Sequence, residues 1–233
     1  MGENKGIHDG HRDRVRDRFL SEGLEGFRDH QVMELLLFYG IPRKDTNEVA
    51  HKLIDRFGSF SGVFDATYDS LVECGLSKTC ASFIKLIPAV CSRYYVDKYK
   101  SKNKTTQINS DNIGECVLPY FIGKDEEQVL LILLDPKGNR LFCDIISSGA
   151  FSAAELNFRK IMQLCVKYKA YGAVLAHNHP SGLALPSEQD IRVTKKLKSS
   201  LASIDVRLMD HLIVADLDYC PMSELENCED IFY

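Results

Sequence analysis

Apolar residues recur at one period in the first hundred positions of this chain and at another beyond about residue 110. The first stretch has helical spacing. A helix is expected from about Asp9 through RDRVRDRFL. HQVMELLLFYG reads as a second, ended by Gly40 with Pro42 just beyond. A third opens on Asp45-Thr46-Asn47-Glu48, a capping pattern, and carries Val49, Ala50, Leu53, Ile54 and Phe57 on one face. Shorter segments lie around Val63-Phe64 and Leu71-Val72. Gly75-Leu76-Ser77 marks a turn, and a long helix follows from about Thr79 to Tyr99.

SKNKTTQINS, residues 101–110, is polar and aperiodic, and reads as a linker between domains at 1–100 and 111–233. Beyond it a helix is expected around Ile113–Phe121. QVLLILL then forms a continuous apolar strand. Asp135-Pro136-Lys137-Gly138 is a turn, and NRLFCDII returns as the second strand of a hairpin. Ser152-Ala-Ala-Glu155 opens a helix to about Lys169, and GAVLAH, 172–177, is a strand. Ser187 opens a helix to about Ser203, and HLIVAD, 211–216, is the last strand. The fold class is α+β: a helical N-terminal domain followed by a mixed α/β domain.

Composition narrows the class further. Hydrophobic residues make up 45% of the chain and charged residues 27%, as in ordinary soluble proteins. The longest apolar run is about seven residues, far short of a bilayer span. The charged N-terminus lacks the apolar core of a secretory signal. The eight cysteines include no C-x-x-C pair and are too sparse for a disulfide scaffold. They are expected as buried thiols in a reducing cytoplasm. The net charge of −4 is uneven: residues 1–104 carry +2 and residues 105–233 carry −6. The acidic half argues against broad nucleic-acid binding there.

The candidate chemistry lies in AHNHPSGLALPSEQD, 176–190. His177 and His179 end a strand two residues apart, so both imidazoles point to one side. Pro180-Ser181-Gly182 turns the chain, and Ser187 and Asp190 share a face at a helix start. Two imidazoles and a carboxylate with a fourth position open are the ligand set of a catalytic zinc. Ser187-x-x-Asp190 also fits a helix N-cap pair.

H-x-H, seven intervening residues, Ser, two more and Asp resembles the JAMM signature of MPN+ metalloproteases. The text HNHPSG…PS…D, the hairpin EQVLLILLDPKGNRL and the tail LMDHLIV resemble the bacterial RadC-like family. The first hundred residues are similar to its helix-hairpin-helix N-terminal domain. The resemblance implies a JAB/MPN-type domain, a zinc ion on His177, His179 and Asp190, and hydrolysis of an amide or isopeptide bond in a polypeptide or conjugate. It also implies an upstream glutamate as general base. Glu127, just before QVLLILL, is the first choice. Glu155 and then Glu126 are the alternatives, with Glu155 also explained as a helix-start residue. Ser187 corresponds to the serine that stabilises an oxyanion. His211 is a possible supporting partner or a packed histidine.

The helix-hairpin-helix resemblance raises DNA binding. Such hairpins use Gly-h-Gly to bring backbone N–H groups to a phosphate. Here Gly75-Leu76-Ser77 replaces the second glycine with serine, so at most weak DNA binding is expected. The rival to a peptidase is a DNA-repair protein or metal-dependent nuclease. No membrane association is expected.

Overall fold

The structure, a computed structural model, describes residues 10–42, 44–102, 107–149, 156–180 and 182–232, without the side chains of 99–102. Its contacts fall into two units, Met1–Pro88 and Ala89–Tyr233.

The first unit holds α1 (His11–Glu22), α2 (Asp29–Gly40), α3 (Asn47–Phe57), α4 (Phe60–Asp65), α5 (Tyr68–Glu73) and the start of α6 (Lys78–Lys102). The division between units falls inside α6, at Pro88. The core of this unit draws Met33 and Leu37 from α2, Ala50 and Leu53 from α3, and Val63, Leu71, Cys80 and Ile84 from the later helices. The end of α2 is sealed by Arg12, which donates to the carbonyls of Phe38, Ile41 and Lys44. The capping box expected at α3 does not form. The Thr46 hydroxyl donates instead to Glu34 O, and the Asp45 carboxylate accepts from Asn47 N at 2.9 Å. Between α5 and α6, Gly75 takes φ +100°, a conformation that glycine adopts without strain. Ser77 then caps α6 by accepting from Cys80 N.

The second unit contains α7 (Ile113–Val117), a 3₁₀ turn at Leu118–Tyr120, β1 (Gln128–Leu134), β2 (Arg140–Ser148), α8 (Phe158–Tyr168), β3 (Gly172–Asn178), α9 (Glu188–Ala202), β4 (Arg207–Ala215), β5 (Asp218–Pro221) and α10 (Glu229–Phe232). Together with the helical first unit this makes the chain α+β. The five strands form one sheet in the order β2-β1-β3-β4-β5. β3 and β4 are parallel, joined over the sheet by α9, and the other neighbours are antiparallel.

Both sheet faces are covered. Leu130, Ile132, Val174, Ala176, Leu212 and Val214 face α7 and the 3₁₀ turn. Val129, Leu131, Leu133, Ala173 and Leu175 face α8 and α9, where Ile161, Val193 and Leu197 meet them. A central strand buried on both sides has no polar face, so QVLLILL reads as a continuous apolar run.

Three features differ from the sequence reading. α8 begins at Phe158, because Asn157 caps it by accepting from Lys160 N at 2.9 Å. Ser152 and Glu155, expected at that start, lie outside the described residues. β4 begins at Arg207 rather than His211, and β5 follows it. All eight cysteines are free thiols, but Cys91 is exposed and only Cys80, Cys116, Cys165 and Cys228 are fully buried.

Candidate metal centre

β3 ends at the site. Its register pairs Val129 with His177, and His177 shares the parity of Ala173 and Leu175. The His177 side chain therefore emerges on the α9 face of the sheet and is fully buried. His179 is two residues on, where its backbone N–H still bonds Val214 O at 2.7 Å. The following turn packs against it: a Cβ added at Gly182 would lie 3.2 Å from the His179 Cβ.

The third group comes from α9. Ser187 is its N-cap, accepting from Asp190 N at 3.2 Å, while the Asp190 carboxylate accepts from Ser187 N at 2.6 Å. This reciprocal capping box holds Asp190 in the first turn of α9 with its carboxylate aimed at the two histidines. Asp190 is 3% exposed, too buried for a carboxylate without partners.

The three ligand atoms converge. His177 Nε2 lies 2.9 Å from His179 Nε2 and 3.3 Å from an Asp190 oxygen, and His179 Nε2 lies 3.5 Å from the other. Bonds of about 2.0–2.1 Å in a tetrahedron put donor atoms roughly 3.3 Å apart, so the spacing fits a zinc-sized ion. Among the described residues this is the group of three or more such side chains able to hold a metal.

Each imidazole presents Nε2 to that point and has its Nδ1 engaged elsewhere. His179 Nδ1 donates to Leu183 O at 3.2 Å. His177 Nδ1 meets His211 Nε2 at 2.8 Å. Burial pushes His177 below the usual imidazole range and His211 well below it, so both are neutral near pH 7. The Asp190 carboxylate beside His179 raises that imidazole instead. Burial works against the charged form of Asp190, but the two imidazoles and Ser187 outweigh it and hold its pKa well below the carboxylate range.

Glu127 stands one residue before β1, in phase with Val129 and so on the α9 face, opposite His179 in the extended register. It lines a cleft of about 310 Å³ with His179, Pro180, Ser187 and Asp190. Glu126, the third choice for the base, is exposed and does not line the cleft. Glu155, the second, lies outside the described residues. A larger cavity of about 770 Å³ opens at the amino ends of β3 and β4, beside Tyr171 and Arg207, and contains none of these residues.

The sequence reading did not single out two residues that support the site. Asn178, between the histidines, points to the other sheet face. Its Oδ1 accepts from Gln128 N at 2.7 Å and its Nδ2 donates to Glu126 O at 3.1 Å, clamping the backbone on both sides of Glu127. Thr194, one turn after Asp190 on α9, bonds His211. Its place four residues after Asp190 was the available signal.

A strand-end histidine pair facing a helix-start aspartate, on a mixed sheet flanked by helices, defines a JAB-type domain with a candidate metal centre. The model of the RadC-like JAB domain matches residues 108–227. A UPF0758 protein of Fusobacterium nucleatum is 33% identical over 90% of this chain and 93% of its own length. UPF0758 proteins of Paraburkholderia phytofirmans and Paraburkholderia xenovorans are 34% and 31% identical, each over 87% of this chain and over 78% and 79% of their own. The chain belongs to the RadC-like JAB family.

Proposed function

We propose that this chain is a zinc-dependent peptidase or isopeptidase of the JAMM type, acting on a polypeptide or a protein conjugate. The observation that most supports this is the opening of Glu127 onto the same cleft as His179 and Asp190, a proton acceptor beside an incomplete ligand set. His177, His179 and Asp190 would hold the metal, a three-residue set of the kind that serves catalytic zinc. Zinc in such a site supplies Lewis acidity, polarising a carbonyl and lowering the pKa of water to about 7. Glu127 takes the proton of the attacking water and passes it to the leaving amine. The Ser187 hydroxyl, at the cleft wall, donates to the oxyanion that develops on the carbonyl. The −6 charge of residues 105–233 disfavours a polyanionic substrate in this cleft.

Metal analysis and turnover assays on one set of variants test the reading. Purified protein is expected to hold zinc, and His177→Ala, His179→Ala and Asp190→Ala each to lose it. Glu127→Gln is expected to keep the zinc and lose roughly 100- to 10,000-fold in rate. Peptides, ubiquitin-like conjugates and DNA are offered side by side. Zinc retained in all three ligand variants would sink the site assignment. Cleavage of DNA alone would replace the peptidase with a nuclease. A dead, zinc-loaded Glu155→Gln beside an active Glu127→Gln would move the base to Glu155.

A further inference from the structure

A neutral imidazole can ligate a metal only through the nitrogen that carries no hydrogen, so a ligand histidine needs its tautomer fixed before the metal arrives. For His177 the partner at Nδ1 is another imidazole, His211 Nε2 at 2.8 Å. Either ring could donate in that bond, and the two choices have opposite consequences. If His211 donates, the His177 hydrogen sits on Nε2, where the ligand point lies. If His177 donates, Nε2 is bare.

The ambiguity is resolved one residue further on. His211 Nδ1 lies 2.6 Å from Thr194 Oγ1, and Thr194 Oγ1 lies 2.5 Å from the carbonyl oxygen of Asp190. A carbonyl only accepts, so two oxygens that close require the threonine hydrogen between them. The other acceptor near the hydroxyl, Met222 Sδ at 3.7 Å, is distant and weak. With its one hydrogen spent on the carbonyl, Thr194 accepts from His211. His211 then carries its hydrogen on Nδ1, its Nε2 is bare and accepts, and His177 donates from Nδ1.

We propose that Thr194 and His211 are positioning residues that set His177 as the Nδ1–H tautomer and so present its bare Nε2 to the metal. Thr194 and His211 are fully buried, as is His177, so the chain of bonds runs out of reach of bulk water. The direction of the relay is anchored in a backbone carbonyl of α9, the helix that also carries Asp190. One helix turn thus supplies a ligand and fixes the tautomer of another. The Asp210 carboxylate holds the same stretch of β4 by accepting from His211 N at 2.7 Å and from the Ser223 hydroxyl at 2.7 Å. The claim on the metal rests on the zinc-hydrolase reading, whereas the tautomer does not.

The experiment has two readouts. Nitrogen-15 correlation spectra of the metal-free full chain report which ring nitrogen of His177 and His211 bears hydrogen. Zinc titration against a chelator reports affinity. The wild type is expected to show both rings as Nδ1–H before any metal is added. Thr194→Val, close in shape but without the hydroxyl, removes the anchor, so His177 is expected to populate the Nε2–H form. Zinc affinity is expected to fall about 10- to 100-fold. Thr194→Ser restores the hydroxyl and is expected to restore both readouts, a rescue that a packing role for the threonine methyl would not give. An Nε2–H His177 in the metal-free wild type overturns the proposal without any variant. So does a folded Thr194→Val with unchanged tautomer and unchanged affinity. A wild type with the expected tautomer that takes up no zinc overturns the hydrolase reading and the claim on the metal together, and leaves the hydrogen-bond chain alone standing.

Discussion

Of the two histidines that face Asp190, His179 is the one whose charge responds to pH in the physiological range. His179 Nδ1 donates to Leu183 O at 3.2 Å, and its Nε2 lies 3.5 Å from an Asp190 oxygen. The Asp190 carboxylate beside it raises the His179 imidazole pKa. The sign of the pH dependence follows. A raised imidazole pKa stabilises the metal-free fold below the ordinary imidazole range, and that contribution is lost as pH rises through the raised value. Zinc held as proposed would compete with the His179 proton, so its affinity is expected to strengthen over the same rise. Thermal melts across pH, with and without zinc, are expected to show a gap that widens with pH. A gap independent of pH would contradict this competition. Asn178 acts at the same scale. Its two bonds hold residues 126 and 128, and Asn178→Ala frees the backbone of Glu127 without touching a ligand. Two bonds at about 0.5–1.5 kcal/mol each set the expected stability loss. The turnover rate is expected to fall while the zinc content holds, and loss of zinc would assign Asn178 to the ligand cluster instead.

At the scale of the element, α9 does two jobs through one capping box. Ser187 satisfies an open N–H at the helix start and stands at the cleft wall. Stability and chemistry can be separated there. Ser187→Ala is expected to cost about 1 kcal/mol of stability, and Ser187→Gly only a few tenths, because glycine tolerates the cap position. Both remove the hydroxyl, so both are expected to lose turnover by about 10²–10³-fold. If the loss tracked stability, with Gly well above Ala, the serine would be a cap alone. These elements also show what the sequence carries. β1, β3 and α9 were legible because an unbroken apolar run, or a helical period behind a cap, has few competing readings. The H-x-H…S-x-x-D cluster was legible because strand alternation and helix pitch place its members without long-range information. The missed features are set by neighbours. β5 is a short half-buried edge whose four residues, among the described residues, pair with β4 alone. The start of β4 alternates exposed Arg207 and Met209 with buried Leu208. At α3 the Thr46 hydroxyl is drawn to a carbonyl of α2, which no local capping pattern reveals. Thr194 and Asn178 are ordinary helix and strand residues until tertiary packing sets His211 and the 126–128 backbone beside them.

For the molecule as a whole, charge separates two kinds of partner. Residues 105–233 carry −6 and hold the cleft, while residues 1–104 carry +2 and hold the α5–α6 turn. That turn has one feature of a phosphate-binding hairpin, a left-handed glycine at Gly75. Its second small position is Ser77, whose hydroxyl is engaged in capping α6, and Lys78 follows at the first position of that helix. The backbone N–H groups at a helix start favour an anion, but a single lysine releases few counterions. We therefore propose DNA binding that is weak, indifferent to sequence and lost as salt rises. Its test is titration of the full chain with short duplexes of two unrelated sequences, at low and at physiological salt, beside Lys78→Glu. Equal affinities for the two duplexes, a steep decline with salt and a further loss in Lys78→Glu are the expected result. Binding that survives physiological salt or distinguishes the sequences would require base contacts that this turn does not offer. If no binding appears even at low salt, the helical unit is a surface for protein, and any role near DNA would have to come through a partner.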